Sequence, residues 1–356
     1  MPEKSKVQDT CCQNIFLYAW STKMFKFYLK TYFLVSTTIL LMAGLINWAV
    51  DPLWYGKGNR ITGRNFSFNE RVSKTNFLLQ SQPQNYDCLI LGSSRVTLLK
   101  ASSFHKHRCF NYSFSAGRIE EFVEYAKYAK SKGLNPKKVY VGVDAFNFDK
   151  ATPPLVGVAE IHPQPVYQAY FSLDVLLFSA RTILGFSPDP RYYNQNFESE
   201  VIENTPKYKP ELYDREKPSS CNAAKIEEYK KLRNVFPDAE FVGYVPPISA
   251  WNVVNETYGR GLTDCELQSF YKVSKIFGTM YDFSVPSAVT AEAKNTYDGS
   301  HFYPEIQNKV TEVLQGKTSN FGIRIDKYSL AEYRQFYKMR IAEFLKKQGQ
   351  GKRWQG

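Results

Sequence analysis

The hydrophobic pattern beyond residue 85 changes repeatedly between short apolar runs and segments with helical spacing. The runs that predict buried strands cover residues 87–91, 109–114, 139–143, 239–245 and 280–285. Helical spacing of apolar side chains predicts helices over residues 119–131 and 304–314, and the second of these begins with proline. Strands that alternate with helices form parallel sheets, so we predict an α/β fold in which helices cover both faces of a mostly parallel five-stranded sheet.

An apolar stretch without any charged side chain extends from residue 32 to residue 50. A helix needs about 20 apolar residues to cross the hydrocarbon core of a bilayer, so residues 31–50 predict an uncleaved transmembrane anchor. Residues 1–30 carry five lysines against one glutamate and one aspartate, which predicts a cytoplasmic N-terminus and a main domain that is periplasmic or extracellular. A buried core helix is the alternative interpretation of this stretch.

Three further regions follow from changes in the pattern. Residues 51–85 are punctuated by glycine, asparagine and polar side chains, which predicts a linker before the main domain at residues 86–320. Within this domain the alternation of strand and helix patterns is interrupted over residues 150–222. This indicates an insertion that either shapes the site or is a surface loop without a role. Residues 321–356 predict a basic amphipathic helix and tail, which either packs its apolar stripe on the domain or lies on an anionic membrane.

The formal net charge of +12 favours an anionic partner. Motifs typical of nucleic-acid binding are absent, so we expect an envelope polymer or a lipid surface and no nucleic acid. Four of the six cysteines follow the predicted anchor, namely Cys88, Cys109, Cys221 and Cys265. An exported domain permits disulfides, and four cysteines allow three pairings, while Cys88 and Cys109 could also be buried free thiols.

A candidate nucleophile follows the first predicted strand. The sequence LGSSR at residues 91–95 places Gly92 at a tight turn and Ser93 or Ser94 at the start of the next helix. A helix N-terminus favours negative charge, so an exposed serine there suits nucleophilic attack on an acyl group. Serine is also a common helix cap, which is the alternative role for either residue.

A candidate base precedes the last predicted helix of the main domain. Asp298 and His301 are three residues apart in the sequence DGSH. In a turn at that spacing, a carboxylate can hold the imidazole in one tautomer while the other ring nitrogen accepts a proton from serine. The remaining histidines, His105, His107 and His162, have no acidic residue at a comparable fixed spacing.

The combination of G-S-S after the first strand and D-x-x-H before the last helix resembles the SGNH (GDSL-like) hydrolase superfamily over roughly residues 85–316. This resemblance implies a flavodoxin-like, three-layer α/β/α fold. It also implies a catalytic triad in which Ser94 is the nucleophile, His301 the general base and Asp298 its orienting acid. No metal ion and no other cofactor is implied.

The same resemblance implies an oxyanion hole. The backbone N–H groups of Ser94 and Gly117 would be two of its donors. The family normally has an asparagine after the third strand, whereas here Asp144 occupies that region and Asn147 lies three residues further on. We therefore expect Asn147 as the third donor. The expected substrate-binding residues are Arg95, Asn111 and Asp144.

The sequence GSSR, the anchor and DGSH are similar to a membrane-anchored subgroup that includes the D-alanine transfer protein of teichoic acid synthesis and exopolysaccharide O-acetyltransferases. Ser93 departs from the aspartate of the family name. This similarity implies an esterase or O-acyltransferase for a cell-envelope glycopolymer, with a membrane-bound acyl carrier or acyltransferase as a partner. Arg95 could steer an anionic substrate or form a structural salt bridge. The alternatives are a lipid esterase, or a non-catalytic scaffold that binds glycan or recruits an acyltransferase.

Overall fold

The computed structural model describes residues 6–153, 155, 161, 163–213 and 218–350, with the side chains of the first helix described from Met24 onward. His162 therefore lies outside the described residues. The helices are α1 (Lys6–Val50), α2 (Glu70–Gln80), α3 (Ser94–Thr97), α4 (Ile119–Ser131), α5 (Val166–Tyr170), α6 (Leu173–Ile183), α7 (Ile226–Val235), α8 (Ala250–Asn252), α9 (Thr263–Phe277), α10 (Pro304–Leu314) and α11 (Leu330–Lys347). The strands are β1 (Arg64–Asn65), β2 (Cys88–Leu91), β3 (Cys109–Asn111), β4 (Lys138–Gly142), β5 (Arg191–Asn194), β6 (Ser199–Val201), β7 (Glu240–Val245), β8 (Thr279–Asp282) and β9 (Ile323–Arg324).

The main sheet is mixed but mostly parallel, with the strand order β3-β2-β4-β7-β8-β9. The first five of these strands are parallel to one another and correspond to the five predicted from the sequence. Strand β9 adds an antiparallel edge to β8. It contains two residues, so it carries too little hydrophobic pattern to be recognised from the sequence.

Side chains of the parallel strands alternate between two hydrophobic clusters. Leu89 and Leu91 of β2 belong to a cluster that includes residues of α4, α7, α9 and α11. Cys88 and Ile90 belong to a second cluster, which includes residues of α10. All four residues of β2 are buried, which explains why this strand is an uninterrupted apolar run in the sequence.

Helix α1 is long and exposed along its apolar part. The segment Met24–Val50 has a mean hydropathy of 1.9 and is long and apolar enough to cross a membrane. The buried share of its most apolar window is 11%, unlike a core helix. After the helix, Asp51 has a φ of 43°, and its carboxylate accepts hydrogen bonds from the N–H groups of Tyr55 and Gly56 at 2.9 and 2.7 Å. This cap turns the chain sharply at the end of α1.

The predicted linker at residues 51–85 is folded, because it contains β1 and α2. The buried face of α2 is largely polar, with Ser73, Lys74, Thr75 and Asn76 inside the protein. A helix that buries polar side chains lacks the apolar stripe by which helices are recognised, so the sequence pattern did not reveal it.

The predicted insertion supplies α5, α6, β5 and β6. Strands β5 and β6 form a second, antiparallel sheet with β1, in the order β1-β5-β6. The insertion and the predicted linker therefore fold together into one substructure beside the main sheet.

Two disulfides select one of the three pairings that the sequence allows. Cys88 is bonded to Cys109, which links the neighbouring strands β2 and β3. Cys221 is bonded to Cys265 in α9. The alternative of free thiols in the first pair is therefore wrong.

The C-terminal helix α11 begins with a capping box, in which Ser329 and Glu332 each accept a hydrogen bond from the other's backbone N–H. Its apolar stripe of Tyr333, Tyr337 and Ile341 is buried in the same hydrophobic cluster as Leu89 and Leu91 of β2. Of the two interpretations of this helix, packing on the domain is therefore the one that the structure shows.

Candidate active site

The turn after β2 separates the roles of the two adjacent serines. A Cβ atom on Gly92 would lie 2.3 Å from Cγ2 of Val96, so only glycine allows the chain to turn this tightly. Ser93 is buried, and its hydroxyl accepts a hydrogen bond from the N–H of Arg95 at 3.3 Å. Ser93 is therefore the cap of α3, while Ser94 is the first residue of the helix and is partly exposed.

The loop before α10 brings a histidine and a carboxylate to this serine. The Nε2 atom of His301 lies 2.8 Å from Oγ of Ser94, and its Nδ1 atom lies 2.6 Å from Oδ2 of Asp298. Asp298 also accepts hydrogen bonds from the N–H groups of Ser300 and His301, both at 2.8 Å. The hydroxyl of Thr296 donates to the carbonyl of His301 at 2.7 Å, which closes the turn. The structure thus brings together the three residues of the predicted triad, which are far apart in the sequence.

The electrostatic environment keeps the carboxylate ionised. Partial burial raises the pKa of Asp298, but the hydrogen bond and charge of His301 and two backbone N–H groups outweigh burial and lower the pKa below its ordinary value. The Asp298 side chain is 42% exposed and that of His301 is 18% exposed, so water screens part of this interaction. An ionised Asp298 favours the His301 tautomer with a proton on Nδ1, which leaves Nε2 free to accept one. The ring of Tyr297 stacks on the imidazole with 5.4 Å between centroids and 3° between planes.

The predicted role of Gly117 as an oxyanion donor is not supported. Its N–H donates to the carbonyl of Phe114 at 3.0 Å and is therefore already used within the loop. A Cβ at this position would lie within 2.9 Å of the rings of Phe114 and Phe122. Close packing of the loop explains why glycine occurs here.

The predicted third donor, Asn147, stabilises the N-terminus of α4 from another segment. Its Oδ1 atom accepts a hydrogen bond from the N–H of Ile119 at 3.2 Å, at the start of α4. Its amide nitrogen faces the carbonyl of Asp144 at 3.4 Å, and the side chain is buried. Asn147 therefore connects the end of β4 to α4 and does not present its amide to a substrate.

Asn111, which was expected to contact substrate, links two backbone segments. Its amide donates to the carbonyls of Val96 and Leu99 at 3.2 and 2.8 Å. Its Oδ1 atom accepts from the N–H and the hydroxyl of Ser113. These hydrogen bonds hold the segment that follows Ser94 against the end of β3.

Arg95 and Asp144 form an ion pair beside the triad. The guanidinium lies 3.2 Å from Oδ1 of Asp144 and donates to the hydroxyl of Ser300 at 3.5 Å. It therefore connects the end of β4 to the loop that carries His301. Asp144 is fully buried, and its second oxygen has no hydrogen-bond partner in the described part of the chain. Because an unpaired buried carboxylate is costly, Arg95 is needed here as a counter-charge, which matches the salt-bridge alternative.

The backbone N–H groups that have no acceptor among the residues that the structure describes include those of Ser94, at the start of α3, and Ala116, in the loop after β3. Ala116 has a φ of 51°, in the left-handed region that non-glycine residues rarely adopt. The loop containing it is tied to the nucleophile turn, because the N–H of Phe114 donates to the carbonyl of Gly92 at 3.1 Å. Strained backbone of this kind is concentrated at functional sites.

A buried cluster of charges that sequence reasoning missed supports this loop. Glu70 accepts hydrogen bonds from the hydroxyls of Ser115 and Tyr193 at 2.7 and 2.6 Å and pairs with Arg191 at 3.1 Å. Burial raises the pKa of Glu70, but Arg191 and Lys74 outweigh it and lower that pKa to about 2. The cluster joins α2, β5 and the loop that contains Ala116. No local signal reveals it, because its members come from three separate segments.

The charged cluster also extends to Tyr297, which is next to the triad. Burial raises the pKa of the Tyr297 phenol, and the neighbouring guanidinium of Arg191 lowers it in part. Because Tyr297 stacks on His301, the guanidinium of Arg191 in β5 is separated from the imidazole by this one side chain. The substructure formed by the predicted linker and insertion thus supports the site, although it supplies none of the three triad residues.

No group of three His, Cys, Asp or Glu side chains with the arrangement of metal ligands occurs among the described residues. No protein-family model matches the chain, and no curated protein matches it.

Proposed function

We propose that the protein is a serine esterase or O-acyltransferase of the SGNH (GDSL-like) type. The observation that carries the proposal is the continuous set of hydrogen bonds from Ser94 through His301 to Asp298, with lengths of 2.8 and 2.6 Å. These contacts lie beyond the carboxyl ends of the parallel strands, where ligands bind in open α/β sheets.

The geometry supports a two-step acyl transfer. As Oγ of Ser94 attacks the carbonyl carbon of an acyl ester, Nε2 of His301 takes the hydroxyl proton. The tetrahedral intermediate then expels the alcohol, which takes that proton from His301, and Ser94 carries the acyl group. In the second step, water or a sugar hydroxyl gives its proton to His301 and attacks the acyl carbon. His301 returns that proton to Oγ of Ser94 as the acyl–serine bond breaks, and an acid or a new ester is released. Asp298 stabilises the imidazolium that forms in each step.

The oxyanion of the intermediate requires donors that are not already used. We assign the N–H of Ser94 as the first donor and the N–H of Ala116 as the second, because both lack an acceptor within the described residues. Each such donor typically contributes a factor on the order of 10²–10³ to the rate.

The fold supports the same family. The order β3-β2-β4-β7-β8 of the parallel strands is the order of flavodoxin-like sheets. Together with the two clusters on opposite faces, it favours the three-layer α/β/α arrangement that the resemblance implies.

The proposed topology is a single pass through the membrane at Met24–Val50, with a cytoplasmic N-terminus and a periplasmic or extracellular main domain. Lysines lie before this segment and in its first turns, ahead of the uncharged residues 31–50, and the two disulfides suit an oxidising compartment. An exported enzyme with a charge of +12 suits an anionic cell-envelope glycopolymer as substrate. A membrane-bound acyl carrier or acyltransferase would supply the acyl group in the transferase case.

The decisive experiment treats the full-length protein in detergent with a fluorophosphonate, which reacts with activated serines. We expect one labelled site, Ser94, with labelling abolished in Ser94→Ala and strongly reduced in His301→Ala. Ser102→Ala removes an exposed serine that follows β2 more distantly, and His107→Ala removes a histidine that also pairs with an aspartate. Both control variants should label normally. Labelling that persists in Ser94→Ala, or a folded protein that does not react, would contradict the proposal.

One observation favours a second function, that of a non-catalytic scaffold which binds glycan or recruits an acyltransferase. Two of the three predicted oxyanion donors, Gly117 and Asn147, hydrogen-bond within the protein. In this case the fluorophosphonate does not react, and Ser94→Ala leaves the cellular phenotype unchanged.

A further inference from the structure

Helices α5 and α6 and the residues after them present large apolar side chains to the surroundings. Leu173, Leu177 and Leu184 are 75%, 56% and 69% exposed, and Tyr167 and Phe186 are exposed as well. Contiguous apolar surface of this kind on a folded domain marks a contact with a membrane or a protein.

The polar and apolar side chains of α6 are arranged unlike those of a surface helix in water. Its inward face is formed by Val175, Ser179 and Thr182, which are buried. Its outward face is formed by leucines at positions 173, 177 and 184, whose spacing of four and seven residues places them on one side. A surface helix in water carries polar side chains at such positions. The outward face of α6 therefore matches an apolar environment.

The helix pair is fixed to the end of α1. The amide of Asn47 donates to the carbonyl of Tyr170 at 2.7 Å, and its Oδ1 atom accepts from the hydroxyl of Ser179 at 2.8 Å. Gly44 approaches the ring of Phe171 so closely that a Cβ atom would lie 2.8 Å from it. Asn47 is fully buried in this contact, although it lies in the most apolar helix of the chain.

These contacts set the depth of α5 and α6 relative to α1. Gly44 and Asn47 precede the last residue of α1, Val50, by six and three residues. At 1.5 Å per residue they lie about 9 and about 4.5 Å below the end of the helix. Amphipathic helices at a membrane surface lie about 5–10 Å deep in the boundary between headgroups and acyl chains.

We propose that α5 and α6 lie in the interfacial region of the membrane leaflet that faces the main domain, with the leucines of α6 against lipid acyl chains. This inference rests on the proposed membrane crossing of Met24–Val50. Lipid is favoured over a protein partner because α5 and α6 pack on the end of α1, where Leu45, Ile46 and Trp48 are also exposed and apolar. Asp174 and Arg181, the charged residues of α6, lie together on one flank, where they can reach headgroups. The main domain is then held at a fixed height above the bilayer by a helix pair as well as by the anchor.

The test places a fluorescent probe on single cysteines in the full chain, reconstituted into vesicles of phosphatidylethanolamine and phosphatidylglycerol. Cys11→Ser and Cys12→Ser form the background, and the probe is placed by Leu177→Cys, with Leu184→Cys as a second site if the first does not fold. Leu40→Cys in α1 reports the membrane crossing, and Met339→Cys on α11 is an exposed apolar control outside the proposed contact. Quenching is measured with doxyl groups at two depths in the lipid and with aqueous iodide.

We expect the probe at position 177 to be quenched several-fold more by doxyl near the headgroup than the probe at position 339, and to be shielded from iodide. Quenching by iodide at position 177 as strong as at position 339 would overturn the inference. Shielding from both quenchers would also overturn it, because a second copy of the chain would then cover the face. If the probe at position 40 is not quenched by lipid, the membrane crossing itself fails, which distinguishes the two proposals.

Discussion

Two histidine–aspartate pairs lie at opposite ends of the parallel strands, which are called here the carboxyl edge and the amino edge of the main sheet. His301 and Asp298 meet beyond the carboxyl end of β2, with 2.6 Å between Nδ1 and Oδ2. His107 and Asp87 meet at the amino ends of β2 and β3, with 3.1 Å between the corresponding atoms. In both pairs burial raises the pKa of the aspartate, but the histidine and backbone N–H groups together outweigh burial and lower the pKa.

The difference between the pairs is what surrounds them. At the carboxyl edge the chain leaves β2 through a tight glycine turn that places Ser94 against the imidazole. At the amino edge no serine hydrogen-bonds to His107 within the described part of the chain. A cavity of about 550 Å³ is lined by His107, yet neither Ser94 nor His301 lines it. A lowered carboxylate pKa therefore does not by itself distinguish the two pairs, whereas the serine in the turn after β2 does.

The largest expected contrast between the two pairs is kinetic. Asp298→Asn should lower kcat for a chromogenic acetyl ester by a factor of about 10²–10⁴, because the amide no longer holds the reactive tautomer. A loss near the lower end of this range is expected if water, which reaches the partly exposed position 298, forms the hydrogen bond to Nδ1 of His301 in place of the carboxylate. Asp87→Asn, the matched change at the amino edge, should leave kcat unchanged. An equal loss in the two variants would show that the comparison is wrong and that His107 takes part in the reaction.

The support of the carboxyl edge by buried charges predicts a large effect on stability. Glu70→Gln should lower the free energy of unfolding by about 3–5 kcal/mol, since the buried guanidinium of Arg191 would keep its charge without a buried partner. Glu124→Gln, in an exposed pair with Lys127, should cost about 0.3–0.5 kcal/mol. Denaturant titration in detergent measures both values, and similar small losses would mean that the cluster contributes little.

The same cluster predicts how stability depends on pH. The pKa of Glu70 is about 2 in the folded protein and ordinarily 4.5, so its stabilising contribution is complete above pH 4.5. This contribution is lost as the pH falls from 4.5 through 2. The Tm of the natural chain should therefore fall more steeply over this range than that of Glu70→Gln. Parallel curves would show that Glu70 does not titrate with folding.

The smallest effect is expected at the amino edge, where the Cys88–Cys109 disulfide links β2 to β3. A loop of 21 residues predicts a loss of about 3 kcal/mol in the free energy of unfolding for the variant with Cys88→Ala and Cys109→Ala. The kcat should not change, because the bond lies at the opposite end of the strand from Ser94. A loss of kcat in a variant that remains folded would show that the two edges are coupled.

The parts of the site that were predicted from the sequence are those with local rules. Asp298 and His301 share one turn, and Ser94 follows an apolar run and a glycine, so residues within a few positions of one another encode their conformation. The other two oxyanion donors expected from the sequence, Gly117 and Asn147, had no such rule. Gly117 and Asn147 lie in the expected regions, but the N–H of Gly117 is used in a turn with Phe114, and the side chain of Asn147 bonds to Ile119, which only packing brings near.

The sequence alone predicted the parallel strands, an apolar helix over residues 31–50 and the pairing of Asp298 with His301, because hydrophobic period and turn spacing act over short distances. The tertiary structure decided which serine faces the histidine, which cysteines pair, and that Glu70, Arg191 and Ser115 meet behind the loop. It also decided that α6 lies against α1 with its leucines outward. The physical reason is that pairings between distant segments depend on the shape and charge of both partners, and neither segment carries that information by itself.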